Sequence, residues 1–451
     1  MRPLWHPEDL VAALHGELRA PFAATGVSID TRTLQPGDLF VALLGERGDG
    51  HEYVADALAK GAVGALVHRV AATMPRDAPL FLVHDTLDGL RALAAYARAR
   101  FTGRVAAITG SVGKTSTKEM LRAIIAPQGR VHAAEASHNN HWGVPLTLAR
   151  MPPDADAAVV EIGMNHPGEI APLTRLARPH VAVITAIAPA HIGLLGSLEA
   201  IADEKASIMR GLAPGGTAVV PGDSPLLPRL LAAAGEARVM RFGLDAARLH
   251  CDAEGTDVTA RIGEATVAFR LGAPGRHMVA NALAALSAAA ALGFDLERGA
   301  RELAGFAALG GRGARRSIAA PGGEALLLDE SYNASPASVV AALRVLGLQP
   351  AQRRVAALGD MLELGEHGPA AHAELAPELD RNADLLFACG PLMRHLFDAV
   401  APERRAGYAA DAAALAPMVA ATVAAGDAVL VKGSLGSRMR LVVDALQGGA
   451  R

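Results

Sequence analysis

The chain has 451 residues, with 43 basic and 46 acidic side chains and a formal charge of −3. That balance excludes the electrostatic footprint of a nucleic-acid binder, and two cysteines, Cys251 and Cys389, exclude a disulfide framework. No apolar run approaches the length of a membrane span and the N-terminus lacks a signal-peptide pattern, so the expectation is a cytoplasmic enzyme of about two to four domains with no stable membrane insertion.

Lysine is scarce. Of the basic residues only Lys60, Lys114, Lys118, Lys205 and Lys432 are lysines, and the rest are arginine. A lysine kept against that bias is a candidate for chemistry that arginine cannot do, because only an amine of adjustable pKa becomes a nucleophile or is modified at nitrogen.

Residues 1–98 read as a small α/β unit. FVAL at 40–43 and ALV at 65–67 have strand character and residues 53–60 helical character, with turns at Pro36-Gly37, Gly61 and Gly64. Ser28, Asp30, Thr31 and Arg32 form one polar cluster beside a strand, and Gly45, Asp49, Gly50 and His51 form another. A polar ligand could sit there; ordinary solvated loops are the alternative.

Residues 99–312 are organised around VAAITGSVGKTSTKEM at 105–120. An apolar run at 105–108 meets a glycine-spaced turn that leads into Met120, Leu121, Ile124 and Ile125 at helical spacing, which reads as strand, phosphate loop, helix. Gly110 and Gly113 let the backbone from Thr109 through Ser111 and Val112 to Ser116 curl around an anion at a helix N-terminus. Lys114 supplies a point charge for ATP phosphates, and the Thr115 hydroxyl is placed for Mg2+. Ile108 stands where the usual spacing has its first glycine, and a plain strand-to-helix turn is the alternative.

Downstream, SHNNHWGVP at 137–145 is a polar loop containing Asn139 and Asn140. The run 157–160 ends on Glu161, either a second Mg2+ ligand facing the crevice or a cap for the helix from Pro167. Strand 181–185 leads to His191, which could ligate a metal, orient a carboxylate or be an ordinary loop residue. Lys205 lies off the apolar stripe of residues 201, 208, 209 and 212, facing the crevice or pairing in solvent with Asp203 and Glu204. Residues 238–271 read as β-rich, and the alanine-rich helix from about Met278 places Asn281 in its first turn, as an adenine reader or a cap.

Beyond LGGRGARR at 309–316, strands at 325–329, 355–360, 385–390 and 428–434 alternate with helices, as in a doubly wound parallel sheet. They end on Asp329, Asp360, Gly390 and Lys432, which predicts a crevice containing Asp329, Asn333 and Lys432. No glycine-rich dinucleotide turn is present.

Together these motifs make the chain resemble the Mur ligase family of bacterial cell-wall synthesis over essentially its whole length. The resemblance implies an α/β, three-domain architecture: an N-terminal UDP-substrate domain at 1–98, a central P-loop, ATP-binding parallel-sheet domain at 99–312, and a Rossmann-like domain at 313–451 that binds the second substrate and closes on ATP. DESYNASP at 329–336 and LGDMLELGEH at 358–367 look like the branch that joins D-alanyl-D-alanine to UDP-N-acetylmuramoyl-tripeptide, and a monomer is expected. No DNPR-type motif occurs in the third domain, which argues against the branch that adds the diamino acid.

Carried over by position, the resemblance implies that Lys114 and Thr115 hold ATP phosphates and Mg2+, with Glu161 and His191 as metal ligands and Asn281 and Arg312 on the nucleotide. Lys205 falls at the family's carbamylated lysine, whose added carboxylate supports the magnesium site. Asp329, Tyr332, Asn333 and Pro336 fall where the third domain meets ATP and dipeptide, while Ser28, Asp30 and Arg32 match the UDP-binding end. The pattern departs at Ser137-His138, Ala206-Ser207, Glu330 and Ser335. The implied chemistry is ATP-dependent amide formation through an acyl phosphate, with closure hinged near residues 310–313. A folylpolyglutamate synthase or another amino-acid-adding Mur enzyme would share the ATP site. A P-loop switch would leave Lys205, His191 and the third domain without a purpose.

Overall fold

The computed structural model describes residues 2–45, 48–134, 137–189, 192–245 and 247–448. Three larger sheets follow one another along the chain. The first runs in the order Gly16–Leu18, Leu80–Val83, Gly64–Val67, Asp38–Val41, Gly26–Ser28, parallel except for its first pair. The helix Thr86–Arg100 leaves it and serves two cores, with Leu90, Leu93 and Ala97 in the first unit and Ala94 in the second.

The central sheet is wholly parallel, in the order Arg238–Phe242, Thr217–Pro221, Val181–Ile184, Arg104–Thr109, Ala157–Glu161, Val131–Ala133. Its strands are covered on both faces, so their sequences are continuous apolar runs rather than alternating ones. Along Arg104–Thr109, Ala106 and Ile108 join one core with Met120, Leu121, Ile124 and Ile125, while Val105 and Ala107 join the opposite core. Because adjacent strands run parallel, their carboxyl ends share one edge, where Thr109 and Glu161 stand in neighbouring strands.

The β-rich segment 238–271 divides in two. Arg238–Phe242 completes the central sheet, whereas Ala247–Cys251, Thr256–Ile262 and Ala265–Leu271 form an antiparallel meander packed on the helix Arg276–Leu292. That helix begins two residues earlier than expected, so Asn281 lies in its second turn and does not cap it.

The third sheet has the order Ala314–Ala320, Gly323–Glu330, Asp427–Lys432, Arg353–Gly359, Leu385–Cys389, Arg405–Ala409, parallel apart from its antiparallel first edge. Helices Pro336–Gly347, Ala376–Asn382 and Met393–Ala399 cover one face, and Ala412–Thr422 and Arg440–Gly448 cover the other, giving the expected doubly wound form.

Several histidines are spent on the fold. His51 is fully buried, with Nδ1 2.6 Å from Asp49 Oδ1 and Nε2 accepting the His68 backbone N–H at 3.1 Å. His372, also fully buried, accepts the Met361 N–H at Nε2 and meets the Gly368 carbonyl at Nδ1. Burial leads in holding His51, His132, His180, His277 and His372 below the ordinary histidine pKa. Their native forms therefore resist protonation, and the unfolded chain binds more protons below about pH 6.5. The stability these groups contribute is complete above that pH and lost as pH falls. Melting temperature in salt-matched buffers from pH 8 to 5 is expected to hold and then drop; an unchanged value down to pH 5 would contradict this.

Candidate active site

The loop after Arg104–Thr109 is shaped by two left-handed glycines, Gly110 at φ 146° and Gly113 at φ 84°. Gly113 occupies the N-cap of the helix Lys114–Ile125, whose unpaired N–H groups open toward the crevice. The loop is stitched to the next strand end: Ser111 N–H donates to the Ala186 carbonyl at 2.9 Å, Ser111 Oγ–H to Ala188 at 2.9 Å, and Thr185 Oγ1–H to Val112 at 2.5 Å. Lys114 Nζ folds back onto the Gly110 carbonyl at 2.7 Å.

Thr115 Oγ1–H donates to Glu161 Oε2 at 2.9 Å, and Asn139 Nδ2 donates to Glu161 Oε1 at 2.7 Å. Glu161 thus faces the phosphate loop and caps no helix; the helix Ile170–Ala177 instead receives Glu204 at the N–H groups of Gly168 and Ile170. Asn281 is nearly buried against the loop, so close that a Cβ on Gly113 would lie 2.2 Å from its Oδ1.

Lys205 is 1 % exposed, and no hydrogen bond to its Nζ is found among the described residues. Its acidic neighbours are engaged elsewhere, Asp203 with Arg229 at 2.7 Å and Glu204 on the backbone just named, so the solvated ion-pair reading does not hold. Burial pushes the Lys205 amine well below the usual lysine range; the Lys114 charge adds to this, while Glu204 and Glu169 oppose it. Lys114 is lowered too, first by burial, with Glu161 opposing and Arg312 adding. The charge of Lys114 is therefore felt at Lys205.

Arg312 brings in the third unit. The turn before it is fastened to the third sheet by Tyr332 N–H on the Gly311 carbonyl at 3.1 Å and Gly313 N–H on the Asp329 carbonyl at 2.9 Å. Its guanidinium lies 4.1 Å from the Tyr332 ring centroid and donates to Ser137 Oγ at 2.9 Å in the central unit. Residues 311–313 are thus hydrogen-bonded to the third sheet at the seam between the two units.

The third-unit motif is tightly held. Asp329 is fully buried; its Oδ1 accepts Ser331 Oγ–H at 2.6 Å, while Oδ2 has no hydrogen-bond partner among the described residues, Arg440 lying 3.8 Å away. Lys432 Nζ donates to the Asn333 carbonyl at 2.9 Å and pairs with Glu330 at 3.2 Å, pinning the turn. Asn333 Oδ1 accepts the Ala334 N–H, and Pro336 opens its helix. Asp360 accepts the Met393 N–H at 2.6 Å and so holds the next crossover.

Asp30 and Arg32 lie apart from this centre, paired at 2.5 Å on the wall of a cleft of about 1170 Å³ between the first and central units. Ser28 is buried behind that wall, bonded to the Asp30 backbone. The central unit supplies His132, His138, Trp142 and Arg150 to the opposite wall; of these the sequence draws attention only to His138, as a departure from the family pattern. Asn140 uses its Oδ1 to cap the helix Gly143–Ala149 at the Trp142 and Gly143 N–H groups, so it shapes the loop that presents Trp142. His191 lies outside the described residues; Gly193 just beyond it donates to the Glu363 carbonyl at 3.2 Å, placing this segment against the third unit. Lys118 is fully buried, 2.5 Å from the Ala134 carbonyl and 3.0 Å from Glu119.

A parallel sheet whose phosphate loop is overlooked by a second nucleotide-type fold, with a separate substrate cleft opening on its other side, defines the class of ATP-dependent ligases built from a P-loop core. The Mur ligase middle domain matches residues 108–289, the Mur ligase glutamate ligase domain residues 315–435, and the Mur ligase family catalytic domain residues 23–98. The chain belongs to the Mur ligase family. It is 37 % identical to the UDP-N-acetylmuramoyl-tripeptide–D-alanyl-D-alanine ligase of Escherichia coli K12, over 97 % of each chain. Among solved structures it is similar to MurF from Acinetobacter baumannii, at 30 % identity, TM-score 0.86 and 99 % of each chain. MurF from Thermotoga maritima in complex with ADP gives 26 % identity and TM-score 0.78, over 94 % of this chain and 97 % of that one.

Proposed function

We propose that the protein is the ATP-dependent ligase that joins D-alanyl-D-alanine to UDP-N-acetylmuramoyl-tripeptide in peptidoglycan precursor synthesis, and through it serves cell shape and division. The observation that carries the reading is the continuity of the phosphate loop with Glu161 and, through Ser137 and Arg312, with Tyr332 of the DESYNASP stretch. One carboxylate oxygen of the tripeptide attacks the γ-phosphorus of ATP, ADP leaves, and an acyl phosphate forms. The dipeptide amine then attacks the acyl carbon, loses a proton, and phosphate departs with that carboxylate oxygen.

Each part of this chain has work in that scheme. The loop from Thr109 to Ser116 and Lys114 receive the phosphates, with charge stabilisation as their main contribution. Asn281 and Arg312 bound the nucleotide. Asp329 offers a buried carboxylate oxygen without a hydrogen-bond partner, suited to an incoming ammonium group, with Tyr332, Asn333 and Pro336 framing its turn. Asp30, Arg32 and Ser28 serve the UDP end of the cleft, and Asn139 steadies Glu161.

Magnesium fits this donor set. Thr115 and Glu161 bring hard oxygens together 2.9 Å apart, and Lys205 adds another carboxylate if its buried amine, whose pKa burial lowers, takes up CO2 as a carbamate. His191 is the remaining proposed ligand. When bound, the ion neutralises phosphate charge. We place domain boundaries at 1–98, 99–312 and 313–451, with Arg312 at the seam. No helix among the described residues is long and apolar enough to cross a membrane, and both cysteines are free, which suits a cytoplasmic monomer.

The test is phosphate release from Mg-ATP. It is expected to require both UDP-tripeptide and D-alanyl-D-alanine. Release indifferent to the dipeptide would overturn the acceptor assignment and favour another amine or a nucleotide switch.

A further inference from the structure

We propose that Ser137 is a positioning residue for ATP, acting through Arg312: its hydroxyl ties the guanidinium carried by the third unit to the hydroxyl at the start of the phosphate-loop helix. Ser137 lies outside the phosphate loop, yet its Oγ is 2.9 Å from Arg312 Nη2 and 3.1 Å from Thr115 Oγ1. A guanidinium only donates and an ionised carboxylate only accepts, so the direction of the whole chain is fixed. Arg312 donates to Ser137, Ser137 donates to Thr115, and Thr115 donates to Glu161 at 2.9 Å. Each hydroxyl spends its single hydrogen and accepts one, the arrangement in which successive hydrogen bonds polarise one another.

The guanidinium is consequently fixed from two sides. Its face lies on Tyr332, which belongs to the third unit, and its edge is held by Ser137, which belongs to the central one. A free arginine would have to give up rotamer freedom when the nucleotide arrives. Ser137 removes that cost beforehand and sets the distance between Arg312 and the phosphate loop.

The inference rests on the reading of this crevice as the ATP site. The test is calorimetric Kd for Mg-ATP in the full-length parent, Ser137→Ala, Ser137→Thr, Arg312→Ala and the Ser137→Ala/Arg312→Ala double variant, with steady-state ligation alongside. Ser137→Ala is expected to weaken ATP about tenfold, in Kd and in KM alike, with kcat within about twofold, the size of one lost hydrogen bond to a charged group. Ser137→Thr keeps the hydroxyl and is expected to stay within about threefold of the parent. In the Arg312→Ala background Ser137→Ala is expected to add nothing, because a residue acting through another loses its effect with it. Parent-like affinity in Ser137→Ala, or a loss that adds fully to that of Arg312→Ala, would overturn the proposal while leaving the ligase reading intact. A parent protein that does not bind ATP would instead bring down the site reading, and this inference with it.

Discussion

Lys205→Met is expected to fold as stably as the parent, or more so, and to lose ligation turnover on the order of 10²- to 10³-fold. The side chain is 1 % exposed, and no hydrogen bond to its amine is found among the described residues, so an apolar isostere removes a buried polar group rather than a stabilising contact. The catalytic loss follows because methionine cannot carry the carboxylate that a carbamylated lysine would add to the proposed magnesium site. Thermal unfolding and steady-state ligation measured on one preparation separate the two effects. In 13C-bicarbonate the parent should show a carbamate carbon resonance that Lys205→Met lacks. Turnover within about tenfold of the parent would remove Lys205 from the machinery.

Gly113→Ala should damage both fold and nucleotide binding. Gly113 sits at φ 84°, a left-handed conformation that costs an L-residue about 1–2 kcal/mol, and its added Cβ would meet Asn281 Oδ1 at 2.2 Å. Asn281 is nearly buried on the helix Arg276–Leu292, so the loop yields first. A loss of about 2–4 kcal/mol in urea unfolding is expected, with ATP binding weakened about 100-fold as the N–H groups around the phosphates turn away. A variant that binds ATP normally would show that this loop does not have to keep its shape to hold the phosphates.

Both expectations depend on features of different legibility. The phosphate loop is a local object: glycine spacing, an apolar run before it and helical spacing after it lie within 105–125, and the strand end at Glu161 is equally local. The doubly wound third unit was legible for the same reason, since parallel strands covered on both faces are short continuous apolar runs. What sequence could not supply were relations between units. The reach of Arg312 to Ser137 and the cleft that sets Asp30 and Arg32 opposite His132, Trp142 and Arg150 join residues far apart in the chain, as does, within the central unit, the burial of Lys205 near the charge of Lys114.

The scarcity of lysine was informative but ambiguous. The charge of Lys114 lowers the pKa of Lys205, whereas Lys432 pins the turn after Asp329, and Lys118 ties the phosphate-loop helix to the Ala134 backbone. A compact ammonium that serves a backbone carbonyl from a buried position is as hard for arginine to replace as a reactive amine. Short polar residues needed the structure for another reason: the Asn140 side chain caps a helix and the Asn281 side chain does not, and position relative to a helix start decides which.

The central claim is that one carboxylate oxygen of the UDP-linked tripeptide is phosphorylated and then lost to phosphate as the dipeptide is joined. Tripeptide labelled with 18O in both oxygens of the terminal carboxylate that is activated, incubated with Mg-ATP and D-alanyl-D-alanine, tests it in a single mass spectrum. The account predicts a UDP-pentapeptide retaining one 18O in its new amide and inorganic phosphate carrying the other. Phosphate free of 18O, or label transfer to phosphate without a D-alanyl-D-alanine adduct, would contradict it.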